Sequence, residues 1–256
     1  MVTDRSAPRT ARVDRLHHEY LAELRRAGPG DPGDQLRSYL GSPVPVLVLR
    51  VPEFRRRLRA FDRALGPLTA PELRRLLRRL AQGPTYEERL SAIELLDRRP
   101  AGWDDATWRL VDRWVDEATG WALSDSLAAG PIAGWLASDP TRFREIVRWT
   151  RSRSLWRRRA ATYALHDWVA KGELDRPFAL LERSLDDPEF WVRRAVGTWL
   201  RECWKRDPAR TEAFLRRHVR RLSRVTITVA TERTSKEFRE ELRTARAAAT
   251  RRGEGN

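Results

Sequence analysis

Apolar residues recur at helical spacing along almost the whole chain, and alternation with a period of two is nearly absent. That pattern restricts the fold class to all-α. The first amphipathic segment, residues 13–27, places Val13, Leu16, Tyr20, Leu21 and Leu24 on one face and stops at Gly28-Pro29-Gly30. Asp31 to Gly33 reads as a turn and Gln35 to Gly41 as a short helix. Pro43-Val-Pro-Val-Leu-Val-Leu49 is the one stretch of strand-like composition, and its two prolines and lack of a pairing partner make it a buried connector instead. Helices are expected at about 52–65, 71–82, 85–98, 104–117, 119–129, 131–138, 140–150, 153–171, 175–186, 188–205 and 207–221. Gly66-Pro67, Gly83-Pro84, Arg99-Pro100 and Gly130-Pro131 separate several of them.

Many helices joined by tight turns suggest helix pairs stacked side by side. Internal similarity supports this: Leu155-Trp-Arg-Arg-Arg-Ala160 and Phe190-Trp-Val-Arg-Arg-Ala195 match at an offset of 35 residues. Asp-Pro pairs at 139–140, 187–188 and 207–208 stand where a helix starts, Asp as cap and Pro as first helical residue. The expected architecture is a HEAT-like helical-repeat solenoid, with about 40 residues per two-helix unit and a concave, basic groove. It occupies residues 13–234, between a disordered N-terminus (1–12) and a basic C-terminal tail (235–256), partly helical or disordered, carrying Arg239, Arg243, Arg246, Arg251 and Arg252.

Charge narrows the partner class. The net charge is +15, and all cations but Lys171, Lys205 and Lys236 are arginine, whose fork suits phosphate and carboxylate oxygens. The excess is uneven: residues 86–125 carry five Arg against ten acids, whereas residues 139–224 carry 20 Arg and two Lys against 12 acids. A surplus confined to one part of a helical array fits a polyanion, with nucleic acid ahead of an anionic membrane or an acidic protein. An arginine-rich genome would explain the Arg-to-Lys ratio but not the net excess. The N-terminal stretch has no apolar core of a signal peptide, and no run approaches the ~18 apolar residues of a membrane span. Cytoplasmic placement, with nucleoid association through DNA, is therefore expected, and the lone Cys203 is expected to be a buried helix residue.

The sequence contains no Gly-rich phosphate loop, no paired Cys or His at zinc-ligand spacing and no Gly-x-Ser-x-Gly elbow. His17 and His18 are adjacent and diverge by about 100° on a helix, while His166 and His218 are isolated. No metal and no cofactor are expected, so any catalysis rests on carboxylates and electrostatics. Eleven tryptophans are present, most of them expected in the core. Trp121 stands apart because Asp125 follows one turn later on the same face, with Ser124 and Ser126 beside it. A core Trp next to an exposed Asp remains the alternative reading of that pair.

From about Tyr39 to Arg221 the chain resembles the bacterial AlkD-like DNA alkylation repair glycosylases. The resemblance is carried by Tyr39-Leu-Gly-Ser-Pro-Val-Pro-Val-Leu-Val-Leu-Arg-Val-Pro52 with Arg55-Arg-Arg57, and by Trp121-x-x-x-Asp125. Leu155-Trp-x-x-Arg159-Ala-Ala161 and Phe190-Trp-Val-Arg-Arg-Ala-Val-Gly197 with Leu200-Arg-Glu202 continue it in order. The resemblance implies hydrolysis of the N-glycosidic bond of N3- or N7-alkylated purines in double-stranded DNA, with the base left in the duplex; a monomer is expected because closed arrays of this length are often monomers. Asp125 would stabilise positive charge growing on the deoxyribose and position water, and Trp121 would pack against the sugar. Arg159 would hold a phosphate, with Arg158, Arg194, Trp156, Thr198 and Trp199 completing the DNA-facing set. In this chain the position matching a second active-site tryptophan is Thr198, and Trp199 is rotated about 100° from it. Two function classes stay open: a DNA glycosylase, and a non-catalytic HEAT-like protein that binds damaged or branched DNA.

Overall fold

The helix starts are written into the sequence by polar caps. Thr69 and Glu72 form a reciprocal capping box, with the Thr69 backbone N–H donating to Glu72 Oε2 at 2.7 Å and the Glu72 N–H to Thr69 Oγ1 at 3.4 Å. Thr85, Asp104, Ser154, Asp207 and Ser223 each accept from a backbone N–H three residues on. The computed structural model describes residues 6–28, 34–118 and 120–253, and among them it contains helices and turns but no strand. The turn expected at Asp31–Gly33 and the first five residues lie outside the described residues.

The chain divides into two compact units, Met1–Pro131 and Ile132–Asn256, where the sequence suggests one domain. The break falls at Gly130-Pro131, inside a wide helical turn over Ala128–Ile132 in which Gly130 has φ −92° and ψ −108°. The first unit contains α1 (Ser6–Ala27), α2 (Asp34–Leu40), α3 (Val51–Leu65), α4 (Ala70–Ala81), α5 (Tyr86–Asp97), α6 (Asp105–Glu117) and α7 (Trp121–Leu127). The second contains α8 (Ala133–Ser138), α9 (Phe143–Trp149), α10 (Leu155–Tyr163), α11 (His166–Lys171), α12 (Asp175–Arg183), α13 (Phe190–Trp204), α14 (Pro208–Arg217), α15 (Arg224–Ala230) and α16 (Lys236–Gly253).

In the first unit α5 lies against α3, α4 and α7, and leucines fill the space: Leu58, Leu76, Leu77, Leu80, Leu95 and Leu96 are all fully buried. Each such side chain contributes roughly 1.5–3 kcal/mol relative to exposure. The connector from Pro43 to Leu49 runs between α2 and α3 without strand pairing, with Val46 buried. Buried Glu87 of α5 holds it, accepting from the backbone N–H of Leu47 at 2.8 Å and of Leu49 at 3.4 Å. Val48 between them takes φ +64°, a left-handed conformation that is costly for a β-branched residue. Both flanking N–H groups thereby reach one carboxylate. On α1, burial pushes His17 down to about 4, so it is neutral at physiological pH.

The second unit is built on α13, which packs against α10, α12, α14 and α15. Its inward face is Val192, Ala195, Val196, Trp199, Leu200 and Cys203, all buried, and burial pushes the Cys203 thiol up to about 12. Gly197 permits the closest approach: a Cβ there would lie 2.9 Å from both Thr226 O and Val229 Cβ of α15.

Four sequence expectations need correction. Helix α1 begins at Ser6, inside the stretch expected to be disordered. The helix expected over 153–171 is two, α10 and α11. Asp187 does not cap α13, because it accepts from Glu189 N–H and is paired with Arg158, so the helix starts later. Residues 224–230 form α15 although Val225, Thr226, Ile227, Thr228 and Val229 are β-branched, because α13 and the Ser223 cap outweigh their weak helix propensity. The C-terminal tail is helix α16, docked through buried Phe238 and Leu242, with Arg216 of α14 over the Phe238 ring at 4.7 Å.

Candidate active site

The Trp121–Asp125 pair opens α7, and its position is set by two glycines. Gly120 has φ +88°, and a Cβ on it would stand 1.9 Å from Gly41 O. Gly41 has φ +62°, with its own Cβ position 3.1 Å from Gly120 Cα. Only residues without side chains allow the end of α2 and the start of α7 to meet backbone to backbone with both in the left-handed region. Trp121 is then fixed from the other side. Its Nε1–H donates to the Tyr39 carbonyl, and the Tyr39 ring meets it edge-on, with centroids 5.5 Å apart at 86°. Tyr39 itself is 68% exposed.

Both Trp121 and Asp125 are half-buried, whereas Ala122, Leu123, Ser124 and Leu127 of the same helix are buried. The helix therefore turns the aromatic and the carboxylate outward together, as the i,i+4 spacing requires. Tyr86 of α5 adds a neutral phenol near Asp125. Burial, then the charges of Glu87, Glu94 and Asp125, push it up to about 12. Next to Ser126, a cleft of about 440 Å³ opens, lined by Arg55, Glu94, Asp97 and Arg98 among others. Its charges are largely self-compensated, Arg55 with Glu94 at 3.0 Å and Arg98 with Asp62 at 3.2 Å. Among the described residues no group of three His, Cys, Asp or Glu could hold a metal ion, and no helix is long and apolar enough to cross a membrane.

The DNA-facing set expected in the second unit lies on α10 and α13, which pack together, but the two helices divide it. Arg194 is exposed, and Thr198 one turn later is half-exposed, its hydroxyl donating to the Arg194 carbonyl at 3.1 Å. Trp156 is half-buried beside Trp191. The other three are taken up by the protein. Arg158 grips Asp187 with two nitrogens, at 2.6 and 3.2 Å, and donates to the Ser152 carbonyl at 2.8 Å. Arg159, 4% exposed, donates to the Trp191 carbonyl at 2.6 Å and to Tyr163 Oη at 3.1 Å, with its guanidinium over the Tyr163 and Trp191 rings. Trp199, 5% exposed, meets Tyr163 edge to face with centroids 5.4 Å apart, and its Nε1 has no hydrogen-bond partner. Arg158 and Arg159 thus join α10 to the start of α13, and Trp199 is core. Three consecutive arginines diverge by about 100° each, so the neighbouring helix decides which of them meets solvent.

Residues that the sequence left without a role are Gly41, Gly120, Tyr86 and Glu87. The two glycines had a local signal, Gly41 within the Tyr39–Pro52 segment and Gly120 next to Trp121, but nothing in the sequence shows that they meet.

A family model for the DNA alkylation repair enzyme matches residues 20–234. The chain belongs to the DNA alkylation repair enzyme family. Solved structures agree on an all-α, helical-repeat fold. A predicted DNA alkylation repair enzyme from Enterococcus faecalis is similar at TM-score 0.69 and 17% identity, over 79% of this chain and 94% of that one. AlkD2 from Streptococcus mutans is similar at TM-score 0.60 and 18% identity, over 78% of this chain and 97% of that one. No curated protein sequence matches the chain. Within the family match lie all of α2 to α15, and α16 follows it.

Proposed function

We propose that this family member is a DNA glycosylase that releases N3- or N7-alkylated purines from double-stranded DNA, with Asp125 as its catalytic carboxylate. The observation that carries the reading is the glycine-locked α7, which presents Trp121 and Asp125 together at a partly exposed surface. Alkylation leaves the purine cationic and a good leaving group, so the protein's task is to stabilise charge developing on the sugar. As the bond from C1′ to the base nitrogen breaks, the electron pair leaves with the base. Positive charge then grows on the deoxyribose, where a fixed carboxylate offsets it. Water, positioned by Asp125, adds at C1′ and loses a proton. The Trp121 ring packs against the sugar, and the base stays in the duplex, so no base-reading pocket is required. Exposed arginines of the second unit, such as Arg148, Arg151, Arg153 and Arg194, supply phosphate contacts.

The test is release of base from duplex DNA containing N7-methylguanine, comparing wild type with Asp125→Asn. Release in the variant is expected to be slower by about a hundredfold or more. Equal release would remove Asp125 from the mechanism.

One observation favours a second reading. Thr198 stands where the family resemblance calls for an aromatic wall, and Trp199 is buried. A family member that binds damaged or branched DNA without cutting it would show tight, salt-sensitive binding and no base release from wild type.

A further inference from the structure

The second unit keeps two large apolar side chains in water. Phe190 is 47% and Trp191 36% exposed, side by side at the start of α13, whereas Trp135, Trp149, Trp168 and Trp199 of the same unit are all 5% exposed or less. Exposure of a contiguous aromatic pair is a loss of burial that a partner recovers. Trp191 is also braced. Phe190 meets it edge-on at 5.4 Å, and Arg159 lies over its ring at 5.8 Å. Trp156 stands 6.4 Å away, tilted by 36°, in contrast to the closed stack of Phe178 and Phe214 at 4.9 Å and 26°.

The surroundings say what the partner carries. The Arg158 bonds to Asp187, Ser152 O and Arg153 O draw the loop before α10 up to the start of α13. Exposed Arg151 and Arg153 arrive with that loop, and exposed Arg194 follows Trp191 by one turn. Among the nearby acids, Asp187 is taken by Arg158 and Asp186 by Arg221, which leaves Glu189. Exposed aromatic faces with exposed arginines on the adjoining loop and the next turn suit an unstacked base on a phosphate backbone. A fully paired duplex hides its base faces and would use only the arginines.

We infer that Phe190, Trp191 and Trp156 form a stacking platform for one unpaired nucleobase of a DNA strand, with Arg151, Arg153 and Arg194 holding its flanking phosphates. Excision from the backbone side needs no such platform. The inference rests on the DNA partner of the preceding reading but not on its chemistry.

The test uses the full chain with unalkylated DNA: a short duplex with one bulged 2-aminopurine, against the same duplex fully paired. Binding to the bulge is expected to be tighter by about fivefold or more, with a change in 2-aminopurine fluorescence from stacking. Phe190→Ala/Trp191→Ala should bring that preference to unity with helical circular dichroism intact, and Trp191→Tyr should retain most of it where Trp191→Leu does not. Equal affinity of wild type for both duplexes would overturn the platform and leave glycosylase activity untouched. Persistence of the preference in the double variant would equally overturn it. Loss of DNA binding to both duplexes would remove the partner itself, and sedimentation showing a dimer that the double variant abolishes, without any bulge preference, would assign the patch to a second copy of the chain.

Discussion

The two units use the same arginine-rich composition in different ways. Residues 1–131 carry 22 Arg and no Lys against 19 acids, a net of +3; residues 132–256 carry 29 Arg and Lys against 17, a net of +12. In the first unit several arginines join helices. Arg75 and Arg79 hold Asp14, Arg57 holds Glu23 and Glu53, Arg98 and Arg99 hold Asp62, and Arg74 holds Asp104 at 2.6 Å. In the second, Arg158, Arg201, Arg210, Arg216 and Arg221 make such ties too, while Arg144, Arg148, Arg151, Arg153 and Arg194 are exposed. The first unit therefore spends much of its charge on ties among α1, α3, α4, α5 and the start of α6. The second carries the larger surplus of positive charge. Arginine count alone says little about DNA contact; the ratio of arginines to carboxylates within reach says more.

The sharpest way to break this contrast is at Gly120. Gly120→Ala places a Cβ 1.9 Å from Gly41 O at φ +88°. A loss on the order of 3 kcal/mol in stability, or a displaced Trp121, is expected, together with loss of base release. A variant that melts and cleaves like wild type would show that α7 is not locked.

Arg159→Ala comes next. It removes the hydrogen bonds to the Trp191 carbonyl and Tyr163 Oη and a guanidinium packed on two rings, so the thermal midpoint should fall by an amount equivalent to roughly 2–3 kcal/mol. DNA affinity at a temperature where the variant stays folded should change by less than about threefold, since a lost ~1 kcal/mol phosphate contact would exceed that. A stable variant with much weaker binding would return Arg159 to the phosphate role that the family resemblance implies.

The smallest effect concerns the surplus charge itself. Arg148→Ala/Arg151→Ala should lower the slope of log affinity against log salt by about 2, whereas Arg56→Ala/Arg59→Ala in the first unit should change it by less than about 0.5. Equal slopes from the two pairs would erase the distinction between the units.

Much of the helical order was legible. Gly-Pro breaks and Thr, Ser and Asp caps act within one turn, so α3 to α6, α12 and α14 lie close to where the pattern put them. Helix α15 was not legible, because its β-branched run is helical only under the hold of α13 and the Ser223 cap. No Gly or Pro marks the break between α10 and α11, so the helical pattern runs through it. At the candidate site the spacing of Trp121 and Asp125 was visible, but the glycines that fix it are 79 residues apart and meet only through the fold.

By itself, then, the sequence determined an all-helical chain, the shared face of Trp121 and Asp125, and the rotation of Trp199 away from Thr198, because these follow from the local 3.6-residue period. Only the tertiary structure decided that Arg158 and Arg159 are internal ties, that Trp199 is core and that Trp191 stays in water. Those outcomes depend on which neighbour fills each face of a helix, and a helix does not carry that information along its own length.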